Sequence, residues 1–316
     1  MTQARGRLLT ATDVGSTAEL LLGKARVGSV QGVFPKALNV LVGERMFCIV
    51  RSDVGRSPMN VVCDVAEGAS LAEFGVRPGM QIRRKGRSLV VNGGALTVRL
   101  PPSGAGASPN IRRLFLDVRQ TWANLARLRD EIILHGNLMG LGGVLFAAPW
   151  TQKGRPAEMS PAAKAAASPL AEMVDAVAEG NLETVSAAAR ELIGLGPGLT
   201  PAGDDVLAGL MMALLISWKA LGREDDFAER VNSRISSQTD GRTTRLSAEF
   251  LLHAARGLGS ERAASLLDRV IFGRPEDIQP AARRLFDTGA TSGTDAALGI
   301  LLGVTASLEA GRRKGA

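Results

Sequence analysis

Short runs of alternating apolar and polar residues, separated by turn residues, fill residues 26–100. Asn92-Gly93 lies between the last two runs and is a strong hairpin signal. Several short strands at this close spacing predict a small β-barrel or sandwich. The predicted strands are residues 27–33, 37–42, 46–51, 60–65, 80–84, 88–91 and 95–100.

From residue 110 onwards the apolar positions follow helical spacing instead. Residues 101–109 consist only of Pro, Ser, Gly and Ala, a composition typical of a linker. The predicted fold class is α+β, with a β-rich domain over residues 1–105 followed by an all-α domain over 106–316. The helices are predicted at 110–135, 161–179, 182–193, 204–220, 224–235, 243–257, 261–272, 275–288 and 295–310, with an irregular buried segment at 138–148.

Composition narrows the classes of function. With 45% hydrophobic residues in 316, the chain can form a sizeable core. Two cysteines and two histidines exclude a disulfide scaffold, a multi-cysteine zinc site and a three-histidine metal site. Aromatic residues make up 4% and tyrosine is absent, which argues against a base-stacking surface.

The net charge of +7 is concentrated near the N-terminus. Residues 1–120 contain 17 Lys and Arg against 8 Asp and Glu. The densest run, Arg83-Arg84-Lys85-Gly86-Arg87, is typical of a solvated hairpin face, with an anionic partner as the alternative. No secretory signal is visible, and the longest apolar runs are shorter than the roughly 18–20 residues of a membrane span. We therefore expect a cytoplasmic protein that binds neither nucleic acid nor membrane.

One glycine- and proline-rich turn precedes the apolar run that begins at residue 206. Residues 194–205 are Gly-Leu-Gly-Pro-Gly-Leu-Thr-Pro-Ala-Gly-Asp-Asp, a composition that specifies a fixed turn. Residues 289–295, Gly-Ala-Thr-Ser-Gly-Thr-Asp, precede a second apolar run. An internal repeat or a chance match explains the likeness. With one gap, Gly198, Thr200, Gly203, Asp205 and Gly209 align with Gly289, Thr291, Gly293, Asp295 and Gly299.

Both apolar helices are predicted to be central, because they are apolar on nearly every side. Small residues recur at i, i+4 spacing, as Gly209 and Ala213 and as Gly299 and Gly303. This spacing lets helix backbones approach closely. If the two helices pair, their glycine-rich N-termini converge on one cleft.

Glycine-rich helix N-termini favour anions, because backbone N–H groups are unpaired there and glycines give a ligand access to them. No lysine follows the glycines, which excludes an ordinary P-loop. A third segment, Thr243-Thr244-Arg245, offers hydroxyl groups and a positive charge, with plain helix capping as the alternative. The residues expected to bind the substrate are Gly196, Gly198, Thr200, Gly203, Thr243, Thr244, Arg245, Thr291, Ser292 and Gly293.

Three aspartates are the catalytic candidates: Asp204, Asp205 and Asp295. They would repel a bare phosphate, so they hold a cation, bind hydrogen-bond donors of the substrate, or only cap helices. Carboxylates together with a phosphate suit Mg²⁺, which makes magnesium a possible cofactor.

Residues 196–205 resemble the signature of the AllH-like family. Thr243-Thr244 and residues 289–295 resemble further parts of its pattern, in the same order. The resemblance covers roughly residues 110–310 and extends more loosely over the β region. The family usually has serine where this chain has Ala202, which removes one hydroxyl donor.

The resemblance implies an oxamate carbamoyltransferase subunit that works with FdrA-like and AllG-like subunits in anaerobic allantoin breakdown. That reaction interconverts oxalurate and phosphate with oxamate and carbamoyl phosphate. The expected function is a carbamoyltransferase subunit that binds such a small anionic metabolite. A non-catalytic scaffold that docks a partner and a metabolite-binding module are the alternatives. The resemblance assigns no catalytic residue in this subunit.

Overall fold

The computed structural model describes residues 7–24, 27–66, 68–102, 115–147 and 159–314. The chain folds as two compact units, Met1–Ile111 and Arg112–Ala316. The first is built on strands and the second on helices, so the α+β fold class is confirmed. From residue 103 the predicted linker lies outside the described residues, and the domain boundary at 105 stays a prediction.

In the first unit, eight strands close into a barrel in the order β1-β5-β4-β3-β2-β6-β7-β8, so the sandwich alternative is wrong. Parallel pairing of β1 with β8 closes it, and β4 and β5 are the other parallel pair. One helix, α1 (Ser16–Lys24), follows the first strand. The strands are β1 (Arg7–Val14), β2 (Val27–Val33), β3 (Ala37–Val42), β4 (Arg45–Arg51), β5 (Asn60–Asp64), β6 (Gln81–Lys85), β7 (Ser88–Val91) and β8 (Leu96–Arg99).

Strand β1 and helix α1 were not predicted. The side chains of β1 alternate between exposed and buried, as a strand in a barrel requires. Its buried positions include Ala11 and Asp13, which are weakly apolar or polar, so the alternation does not stand out in the sequence.

The described part of the second unit, residues 115–147 and 159–314, contains nine α-helices. Capping sets two starts that differ from the prediction: Asp117 accepts a hydrogen bond from Gln120 N, and Thr244 from Ser247 N. A 3-10 helix, Gly142–Phe146, lies within the segment predicted to be irregular. The helices are α2 (Val118–His135), α3 (Pro161–Glu179), α4 (Leu182–Leu192), α5 (Ala202–Ala220), α6 (Phe227–Ser236), α7 (Arg245–Ala254), α8 (Glu261–Phe272), α9 (Pro275–Phe286) and α10 (Ser292–Lys314).

Helices α5 and α10 pack together at the centre of this unit. A Cβ atom on Gly209 would lie 3.1 Å from Ile300 N, and one on Gly299 would lie 2.8 Å from Leu210 N. Further along, Ser217 donates a hydrogen bond to Ser307 Oγ at 2.7 Å. Because these contacts advance in the same direction along both helices, the pair is parallel, and the predicted close approach is confirmed.

The contacts between the two helices are also reciprocal. Gly209 faces the first turns of α10, while Gly299, ninety positions later, faces the equivalent turns of α5. The serine pair has the same offset of ninety positions. The two glycine-rich segments are thus halves of one internally repeated arrangement. No helix in the described part of the chain has the length and apolar character that crossing a bilayer requires.

Candidate functional site

The N-termini of α5 and α10 lie side by side, as the repeat predicted. Thr200 Oγ1 and Ser292 Oγ are 3.1 Å apart and share a hydrogen bond. Both hydroxyls are close enough to Asp205 to lower its pKa, and Asp205 interacts electrostatically with Asp295. We call Thr200, Asp204, Asp205, Ser292 and Asp295 the carboxyl site.

Five of the backbone donors at these helix starts are already engaged. The N–H groups of Gly203 and Asp204 donate to Leu195 O and Pro201 O, each at 2.9 Å. Asp205 N also donates to Pro201 O, at 3.1 Å. On α10, Gly293 N and Asp295 N donate to Thr288 O and Thr291 O. These five N–H groups therefore already have acceptors within the protein, and binding of an anion at the two helix N-termini stays a prediction.

Glycines in both halves serve close packing. The space that a Cβ atom would need at Gly203 is occupied by Leu192 O, and at Gly293 by Leu285 O. Each of these oxygens belongs to the last turn of the preceding helix. Substrate binding by these two glycines stays a prediction.

Two further predicted glycines shape the turn itself. Gly196 and Gly198 have φ values of 110° and 102°, which side-chain-bearing residues rarely adopt. Open space faces the position where Gly198 would carry a Cβ atom, whereas Ala202 faces Gly196. Ligand binding at these positions also stays a prediction.

Asp204 joins the glycine-rich turn to the segment before α7. It is 2% exposed, and its Oδ1 accepts a hydrogen bond from Gly194 N at 2.9 Å. Its Oδ2 accepts one from the Thr243 hydroxyl. Thr244 adds a second link by donating to Leu199 O at 2.6 Å. Burial raises the pKa of Asp204, and the hydrogen bonds oppose that rise.

Asp295 is fully buried at the start of α10. Its Oδ1 accepts a hydrogen bond from Leu141 N at 2.7 Å, while Oδ2 is buried without a hydrogen-bond partner among the described residues. Burial raises the pKa of Asp295 to about 6, against lowering by hydrogen bonds that include one from Thr291. Its protonation state therefore changes close to neutral pH.

The loop that follows α2 completes the surroundings of Asp295, and sequence reasoning missed its part in the site. A Cβ atom on Gly140 would lie 2.7 Å from Asp295 Cγ, so only glycine fits there. Asn137 N donates to Thr294 Oγ1 at 2.9 Å, which holds the loop against α10. The signal in the sequence was the glycine cluster at Gly140, Gly142 and Gly143.

Asp205 interacts electrostatically with both of the other aspartates. Burial is the main cause that raises its pKa well above the usual value, and the charges of Asp295 and Asp204 raise it further. The hydroxyls of Ser292 and Thr200 lower it only in part. These effects together favour the protonated form of this carboxyl. Its Oδ2 is buried without a hydrogen-bond partner among the described residues, which is costly unless a ligand supplies one.

Arg245 is the predicted site residue with the weakest link to this cluster. It is exposed at the first position of α7, next to Thr244. Within the described ranges it forms no ion pair with the three aspartates. Its role in substrate binding stays a prediction.

The part of the chain that the structure describes contains no preformed metal site. No group of three or more His, Cys, Asp or Glu side chains there is arranged to hold one. Two of the aspartates are instead bound to protein donors, Asp204 to Gly194 N and Asp295 to Leu141 N. Magnesium remains an untested prediction.

Replacing Asp295 with asparagine is expected to stabilise the protein in a pH-dependent way. Folding raises the pKa of this acid from roughly 3.9 to about 6, so wild type loses stability as the pH rises through 6. The variant has no such loss and keeps an oxygen for Leu141 N. Its advantage in the free energy of unfolding should grow from near zero at about pH 4 to about 3 kcal/mol at about pH 8.

Urea denaturation across this pH range measures the difference. Asp268→Asn, the same substitution at an exposed position of α8, is the control and should change stability by less than about 0.5 kcal/mol. A difference between Asp295→Asn and wild type that stays constant with pH would contradict the prediction.

Comparison with known proteins gives matches over both units. Residues 10–109 match the model of the AllH family N-terminal domain. Residues 192–304, which include both glycine-rich turns, match the model of oxamate carbamoyltransferase subunit AllH. No solved structure matches this chain.

Proposed function

Because this chain belongs to the AllH family, named for a subunit of oxamate carbamoyltransferase, we propose that it binds a small amide-bearing acid such as oxamate or oxalurate. The carboxyl site is the proposed place of binding. The observation that carries this proposal is the pair of buried oxygens, Asp205 Oδ2 and Asp295 Oδ2, that no described protein group satisfies.

The chemistry of the site fits an amide better than a bare phosphate. An amide presents N–H donors and a carbonyl acceptor. A carboxyl group with a raised pKa can accept from the N–H or, when protonated, donate to the oxygen. Because its raised pKa favours the protonated form, Asp205 repels a substrate carboxylate less than an ordinary aspartate would. Thr200 and Ser292 add hydroxyls that donate or accept.

Transfer of the carbamoyl group needs a proton at a defined place. When oxalurate reacts with phosphate, the bond between the carbamoyl carbon and the oxamate nitrogen breaks, and a carbon–oxygen bond to phosphate forms. The departing nitrogen takes up a proton, and the phosphate loses one. We assign donation of a proton to the departing nitrogen to Asp205, whose raised pKa favours the protonated form. We assign uptake of the proton that phosphate loses to Asp295, whose pKa is about 6.

Partner subunits belong to the same proposal, because the family name describes a subunit. Phosphate requires cationic or other strong donors, and the carboxyl site itself contains none. We propose that Arg245 or a group on an FdrA-like or AllG-like subunit supplies the positive charge, with Mg²⁺ as the other source. The proposed setting is cytoplasmic allantoin breakdown.

Substituting Thr200 tests the assignment of the ligand. Thr200→Val removes the hydroxyl at nearly constant volume and should weaken oxamate binding about tenfold, the value of one hydrogen bond to a charged or strongly polar group. Thr200→Ser keeps the hydroxyl and should stay within about twofold of wild type. Isothermal titration of the full chain, alone and with its partner subunits, measures both. Absence of oxamate and oxalurate binding by wild type in either state would overturn the proposal.

A non-catalytic structural subunit is the second candidate. It is favoured by the packing roles of Gly203 and Gly293 and by the paired N–H groups at both helix starts. On this alternative, the glycine-rich turns only reverse the chain. The fate of activity after a change at Asp205 separates the two candidates.

A further inference from the structure

A groove on the barrel, formed within the first unit, has a chemistry of its own. It has a volume of about 830 Å³ and lies between the turn Arg77–Met80, strand β6 and the residues that follow β7. Arg77, Arg83 and Lys85 line it, and no carboxylate and no aromatic side chain does. All three cationic residues are exposed.

The register of β6 explains why the charges collect on one face. Residues two apart in a strand point to the same side, so Gln81, Arg83 and Lys85 face outwards while Ile82 is buried in the barrel core. The Arg84 side chain lies on the opposite face of β6, and its guanidinium donates a hydrogen bond to Leu22 O at 3.0 Å. The basic run in the sequence is therefore divided, with only alternate members facing the groove.

These cations lack acidic partners, in contrast with others on the same barrel. Lys36 pairs with Asp53 at 2.9 Å, and Arg56 pairs with Asp13 at 3.5 Å. Among the described residues, Arg77, Arg83 and Lys85 form no ion pair, and the Arg83 guanidinium donates to Gln81 Oε1 at 2.9 Å. Three like charges around one depression repel one another, and a bound anion relieves that repulsion.

The geometry points to this groove as a binding site for a small multivalent anion, a polyphosphate or a polycarboxylate, separate from the carboxyl site. Its volume lies in the range of small-molecule sites. Two arginine forks and an ammonium group match clustered phosphate or carboxylate oxygens. Without an aromatic ring there is no surface on which a nucleobase can stack, so nucleic acid is disfavoured.

Titration of the full chain with tripolyphosphate and with citrate tests this site, with isothermal titration calorimetry as the readout. At least one probe should bind to wild type. The double variant Arg83→Gln/Lys85→Gln should raise the Kd of that probe at least about tenfold, and the Kd of the single variant Arg83→Gln should lie between those of wild type and the double variant. Lys36→Gln removes one charge from an ion-paired site of the same barrel and should stay within about twofold. Binding should also weaken as salt concentration rises.

Three results would overturn the inference. The first is no binding of either probe by wild type. The second is an equal loss of binding in Lys36→Gln and Arg83→Gln, which would mean attraction by net charge alone. The third is tighter binding of a polyglutamate peptide or a single-stranded oligonucleotide than of both small anions, which would assign the groove to a macromolecule. Circular dichroism of each variant checks that the barrel is folded.

Discussion

If Asp205 acts as the proposed proton donor, Asp205→Asn is expected to lower the rate of carbamoyl transfer by the assembled subunits by roughly 10²–10⁴-fold, the usual contribution of such a group. Asparagine keeps the size of the side chain but cannot give up a proton. Because burial raises the pKa of Asp205 well above its usual value, the uncharged amide resembles the protonated carboxyl that the site favours. The midpoint of thermal unfolding should therefore stay within a few degrees of wild type.

Phosphate-dependent cleavage of oxalurate by the reconstituted subunits measures this loss. Asp268→Asn, exposed on α8, controls for the substitution itself and should retain full activity. Unchanged turnover in Asp205→Asn, especially with a changed unfolding midpoint, would favour the structural-subunit alternative. Loss of turnover at unchanged stability would support the proposed catalytic role of Asp205.

Gly299→Ala is expected to destabilise the helical unit by about 3 kcal/mol, a large part of the roughly 5–15 kcal/mol that holds a typical domain. The added methyl group would lie 2.8 Å from Leu210 N and closer still to Val206 O. Both atoms belong to the backbone of α5, which cannot turn aside as a side chain can. Gly209→Ala should behave alike, because its methyl group would meet the backbone of α10.

The matched control lies in the same helix. A Cβ atom on Gly311 would meet only an Arg223 guanidinium nitrogen at 3.4 Å. Gly311→Ala should therefore stabilise α10 by about 0.5–1 kcal/mol through helix propensity alone. Urea denaturation followed by circular dichroism compares the three variants. Equal effects of Gly299→Ala and Gly311→Ala would contradict the packing argument.

Local signals allowed much of the fold to be predicted. Helices α3 and α8 have the bounds that were predicted, and in the structure Ser160 and Ser260 cap their first turns through side-chain hydrogen bonds. Strand β1 was missed because its inward positions include Ala11 and Asp13. Barrel closure through β1 and β8 joins distant segments, and no local pattern records that pairing.

The candidate site was predictable only in outline. Glycine spacing at Gly209 and Gly299 predicted the helix pair and the convergence of its N-termini. The hydrogen bond from Leu141 N to Asp295 joins residues 154 positions apart, so sequence spacing could not indicate it. The sequence also could not show that N–H groups at the helix starts already have acceptors, because those acceptors depend on the exact path of each turn.

The interlocked glycines of α5 and α10 have a consequence for motion. At Gly209 and Gly299 the backbone of each helix lies directly against the backbone of the other. A shift or rotation of either helix would therefore bring backbone atoms into steric clash. The distance between Asp205 and Asp295 is therefore fixed by the packing of the two helices before any ligand binds. If Asp205 and Asp295 act as proposed, such a rigid frame keeps the free energy spent on rearrangement during the reaction small.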